Sequence, residues 1–83
     1  MTVRVVLSTG VSDDQTGGVK EFDIEAKDVR AVIRELDERF PGLGEVLKEE
    51  TMVAIDGELF ESALFQPLPD GSEVYFLPKL EAG

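Results

Sequence analysis

Only one long stretch of this chain carries a helical apolar period. Val29, Val32, Ile33, Leu36 and Phe40 fall at the i, i+3, i+4, i+7 and i+11 spacing that lines one side of an α-helix. Almost every other patterned run alternates by two, the period of a half-buried strand. A chain with one amphipathic helix and several strands buries both by laying the helix across one face of a sheet. Asp28 is placed to cap that helix, and Pro41-Gly42 ends it, because the residue before proline is pushed out of the helical region. The opposite side carries Arg30, Arg34, Glu35, Asp37, Glu38 and Arg39, a solvated face on which Glu35 and Arg39 can pair at i, i+4.

The strands follow from the alternation. Thr2 to Leu7 places Val3, Val5 and Leu7 on one face and Arg4 and Val6 on the other. Ser8 to Gly18, rich in Ser, Thr, Asp and Gly, reads as a long mobile connection. Its Gly17-Gly18 pair lacks the following Lys-Ser/Thr and the helix that a phosphate-binding loop needs, so it reads as a plain loop. Val19 to Glu25 is a second strand with Phe22 and Ile24 inward. Leu43 to Glu50 is expected to hold one short helical turn, with Leu43, Val46 and Leu47 packing inward. Met52 to Ile55 and Glu58 to Phe60 flank Asp56-Gly57, a strong two-residue hairpin signal. Glu61 to Gln66 is a bridge that should bury Leu64 or Phe65. Pro69 and Asp70 then suit the second and third positions of a β-turn, with Gly71 at its exit, before a last strand from Val74 to Leu77 that Pro78 stops. Pattern alone thus gives an α+β domain, a mixed sheet covered by one main helix.

At 83 residues the chain is expected to be one domain, residues 1–77, followed by a flexible tail, residues 78–83. It has no cysteine and no histidine. Disulfides, thiolate metal sites and cysteine nucleophiles are excluded, and the usual general base is missing. No long apolar run or signal-peptide pattern is present, so a cytoplasmic protein is expected. The formal charge of −10 repels nucleic acid and anionic membranes and favours a partner with a basic patch; solubility alone or a salt-adapted surface accounts for it as well. The adjacent pairs Asp13-Asp14 and Glu49-Glu50 lack the spacing of a calcium loop, and no Ser or Thr has a base beside it, so no metal and no catalytic residue is expected in this chain.

What remains is the end. Pro78, Lys79, Leu80, Glu81, Ala82 and Gly83, extended at roughly 3.3 Å each, reach about 20 Å from the last strand. A terminal glycine on such an arm offers a carboxyl group with the least steric cover.

Pro41-Gly42-Leu43-Gly44 after an amphipathic helix, the hairpin Val53-Ala54-Ile55-Asp56-Gly57-Glu58, and Pro67-Leu68-Pro69-Asp70-Gly71-Ser72-Glu73-Val74 leading to Leu77-Pro78 and Gly83 form an ordered set. In that order and spacing the chain resembles the ubiquitin-like sulfur carriers (the ThiS/MoaD-like group), most closely the small subunit of molybdopterin synthase, over nearly its whole length. The resemblance implies a β-grasp fold. It implies that Gly83 is adenylated by an E1-like ATP-dependent enzyme and converted to a thiocarboxylate, ATP being used by that partner and no cofactor bound by this chain. It implies that the molybdopterin synthase large subunit takes the sulfur for the dithiolene of molybdopterin, so that this chain is not an enzyme alone. It also places Leu59, Tyr75 and Leu77 on a sheet face that docks both partners, with residues 78–82 entering the partner's active site. Leu59 reads equally well as ordinary core. Two departures stand out: Ala82 where the family has glycine, and Lys79 where it has a second proline. The same chemistry could serve the thiamine route, a cysteine or tungsten-cofactor route, or protein modification through an isopeptide bond. A different class, a binding module that has lost activation, would have Ala82 as its mark.

Overall fold

The computed structural model describes residues 2–10, 16–60 and 65–78. Among the described residues seven elements follow in order: β1 (Thr2–Leu7), β2 (Glu21–Glu25), α1 (Val29–Arg39), α2 (Leu43–Glu50), β3 (Thr51–Ile55), β4 (Glu58–Phe60) and β5 (Glu73–Pro78). The strands form one sheet in the order β2-β1-β5-β3-β4. β1 and β5 run parallel in its centre, and every other neighbouring pair is antiparallel. This mixed sheet with its helices on one side is the β-grasp arrangement that the resemblance implies.

The alternation does what it predicts. Val3, Val5 and Leu7 of β1, Ile24 of β2, Val53 and Ile55 of β3, and Val74 and Phe76 of β5 are all buried on one face. Against them lie Val29, Val32, Ile33 and Leu36 of α1 and Leu43 and Leu47 of α2. Asp28 caps α1, its Oδ1 accepting from the Ala31 amide at 2.8 Å. Phe40, at the end of the stripe, is half-buried and meets Phe22 edge to face, with ring centroids 5.7 Å apart. The Glu35–Arg39 pair forms, N to O at 3.3 Å.

The structure differs from the expectations at several points. Leu43–Glu50 is a helix of two turns, not one. Its N-terminus is capped from the preceding helix: Asp37 Oδ1 accepts from the amides of Gly42 (3.1 Å) and Gly44 (3.0 Å), which supplies acceptors that the glycine at the cap position cannot. β2 begins at Glu21 rather than Val19, because Gly17 and Gly18 both take positive φ and Thr16 Oγ1 donates to the Val19 carbonyl, holding a turn there; Val19 is 48% exposed. Thr16 and Ser8 are buried, and the Ser8 amide donates to the Phe76 carbonyl, so the long connection is anchored at both ends. Phe65 is 76% exposed; the side chain that seals this corner is Leu68, whose amide donates to the Lys27 carbonyl. Leu64 lies outside the described residues. The following turn is set one residue later than expected: Ser72 donates to the Pro69 carbonyl, so Asp70 and Gly71 are its central pair, with Gly71 at φ 82° in the third position of a type II turn. Finally, β5 begins one residue earlier than expected, at Glu73, and ends at Pro78 itself, which is in register with Thr51.

Candidate functional site: the outer face of the sheet

Because strand side chains alternate, the residues between the core positions project from the face turned away from α1 and α2. Register places them in rows across the sheet. Leu59 on β4 lies opposite Ala54 on β3, Ala54 opposite Tyr75 on β5, and Tyr75 beside Val6 on β1. One row nearer the end of β5, Met52 lies opposite Leu77. These six side chains form one continuous apolar patch. Leu59 is 56% exposed and Tyr75 38% exposed, while Leu77, Met52, Ala54 and Val6 are half-buried by their neighbours. Leu59 is therefore not core. Leu59 and Tyr75 stand in the same row with the small Ala54 between them, and both leave apolar surface open to solvent.

All three of the docking residues inferred from the sequence thus come together on one face. Val6, Ala54 and Met52 complete the patch and were not singled out there, although the same alternation on β1 and β3 points to them. Pro78 follows Leu77 directly at the edge of the patch. The expected tail residues Lys79, Leu80, Glu81, Ala82 and Gly83 lie outside the described residues.

The other half of the same face is charged. Glu21, Asp23 and Glu25 project from β2 and Glu73 from β5, and all are exposed. Arg4, the only basic residue on any of the five strands, is ion-paired with Glu21. On the opposite side of the molecule a groove of about 670 Å³ runs between the two helices. Arg30, Arg34 and Lys48 line it together with Asp37, Glu45 and Glu49, a balanced set open to solvent. Among the described residues no cluster of acidic side chains is arranged to hold a metal ion, and no helix is long and apolar enough to cross a membrane.

The ThiS family model matches residues 9–80, nearly the whole chain. This chain belongs to the ThiS family. Solved structures agree in fold. CysO from Mycobacterium tuberculosis is 25% identical, with a TM-score of 0.80 over 94% of this chain and 99% of that one. A chain of the BexX/CysO complex of Amycolatopsis orientalis is also 25% identical at a TM-score of 0.80, over 98% and 99%. A chain of the complex of subunits 1 and 2 of the molybdopterin-converting factor from Helicobacter pylori 26695 is 26% identical at 0.69, over 100% of both chains. No curated protein matches. The ThiS family comprises ubiquitin-like sulfur carriers, and two of these three relatives were solved with a second protein.

Proposed function

We propose that this ThiS-family chain is the sulfur-carrying partner of a sulfurtransferase, acting through the carboxyl group of Gly83. An E1-like enzyme joins that carboxylate to AMP, releasing pyrophosphate from ATP; sulfide then attacks the acyl carbon, the bond to AMP breaks, and a thiocarboxylate is left. The outer face of the sheet docks the adenylating enzyme and then the sulfur-accepting subunit, each in turn receiving residues 78–83. The observation that carries this reading is the position of the apolar patch: Leu59, Tyr75 and Leu77 gather at the sheet end where β5 finishes at Pro78, so a protein seated on the patch is beside the root of the tail.

The preferred destination of the sulfur is the dithiolene of molybdopterin, built on a large synthase subunit. The end-to-end alignment with the chain of the molybdopterin-converting factor supports it. The higher TM-scores to the CysO chains, one of them solved with BexX, support a second reading in which the same thiocarboxylate feeds a different acceptor.

Intact mass after incubation with the E1-like enzyme from the same source, ATP and a sulfur donor tests the proposal. A gain equal to the exchange of one oxygen for sulfur is expected, and it is lost on deletion of Gly83. A gain by the Ala82→Gly variant with none by the parent chain would overturn it in favour of a binding module without activation.

A further inference from the structure

The outer face is divided along the strands. Its apolar rows, Leu59-Ala54-Tyr75-Val6, which runs on to the ion-paired Glu21 at the β2 edge, and Met52-Leu77, lie toward the end where β5 finishes. The next row away from that end holds Asp23, Arg4 and Glu73 in register, and Glu25 lies one row further on β2. Arg4 is occupied by Glu21, so Asp23, Glu25 and Glu73 are exposed carboxylates with no ion pair among the described residues. Charge on β2 alone would serve to protect a sheet edge from pairing with another chain. Glu73 needs another account. It stands on β5, a strand hydrogen-bonded on both sides, where no edge is exposed.

We infer that Asp23, Glu25 and Glu73 set the orientation in which a protein docks on this face. The partner's contact surface is apolar where it meets Leu59, Tyr75 and Leu77, and it carries lysine or arginine on one side only, over β1, β2 and the start of β5. From Leu77 to Glu73 is four strand steps, about 13 Å. The partner therefore presents, in order, the opening that receives the chain after Pro78, an apolar contact, and a basic row about 13 Å beyond the point that meets Leu77. A partner turned end for end would put its cations on the apolar rows and leave these carboxylates unpaired, and it is rejected. This rests on the proposal that the outer face docks the adenylating enzyme.

The test is the association rate with the E1-like adenylating enzyme from the same source, measured for the parent chain, Asp23→Lys/Glu73→Lys, Arg30→Glu/Arg34→Glu and Leu59→Lys. At low salt the Asp23→Lys/Glu73→Lys chain is expected to associate about tenfold more slowly, and the difference should vanish near 1 M salt, where the screening length is about 3 Å. The helix-face pair should change the rate little, and Leu59→Lys should abolish binding. If Leu59→Lys abolishes binding while Asp23→Lys/Glu73→Lys associates at the parent rate at every salt concentration, the orientation role is overturned and the docking face stands. Binding that survives Leu59→Lys overturns the docking face itself, and the orientation role with it.

Discussion

At Gly44 there is no room for a side chain. A Cβ placed there would stand 2.9 Å from Asp37 Cβ and 3.0 Å from Asp37 Oδ1, the same oxygen that accepts from the Gly42 and Gly44 amides. Gly44→Ala must displace the acceptor or the helix, and is expected to cost about 1–3 kcal/mol in a urea unfolding experiment. Asp37→Ala removes the cap without the clash, at about 1 kcal/mol. Two buried hydroxyls make a second contrast. Thr51 Oγ1 donates to the Leu47 carbonyl, whereas Ser72 Oγ, in a residue only 3% exposed, has no partner. Ser72→Ala should leave stability unchanged or raise it by up to about 1 kcal/mol, while Thr51→Val should lower it by a similar amount, both read from the urea midpoint. None of this was legible in the chain. A cap supplied from five and seven residues upstream, across a helix break, has no local signature, and whether a hydroxyl finds a partner depends on the strands and helices around it.

The elements themselves were largely legible, and the reasons are local. The hairpin followed from Asp56-Gly57, and both residues take the positive φ (48° and 88°) that a two-residue turn of this hand requires. Its tip is also fastened to β5: the Asp56 amide donates to the Glu73 carbonyl and Asp56 Oδ1 accepts from the Glu73 amide, each at 2.9 Å. Asp56→Ala should therefore cost about 1–2 kcal/mol, more than a hairpin tip alone would lose, and amide exchange should quicken at the start of β5 as well as in β4. Where two local readings competed, the sequence could not choose. Pro69-Asp70 and Asp70-Gly71 both make acceptable turn centres, and burial of Leu68 together with the φ of Gly71 selects the second. Phe65, the described member of the Leu64-or-Phe65 alternative, is exposed, while Leu68 is buried at that corner. On the outer face, alternation along one strand places Tyr75 and Leu77 together, but joining them to Leu59 takes the family likeness, because a strand does not record its neighbour across the sheet.

Over the whole molecule, charge and topology matter most. The cations Lys27, Arg30, Arg34, Arg39 and Lys48 all lie in or next to the helical layer, so much of the uncompensated part of the −10 falls on the strands and their turns. Self-repulsion of that field is screened by salt, and the thermal midpoint is expected to rise steadily between low salt and about 0.1 M, where the screening length is about 10 Å. A flat response would mean that the acidic surface is neutral in stability and matters only to partners. The parallel centre of the sheet has a mechanical side. β1 begins at one end of the sheet and β5 finishes at the other, so tension between those two points slides the strands past each other. The register from Arg4–Glu73 to Leu7–Phe76 is then loaded all at once, where a hairpin would unzip pair by pair. Held at the start of β1 and pulled at Pro78, the domain acts as a shear clasp rather than a zipper.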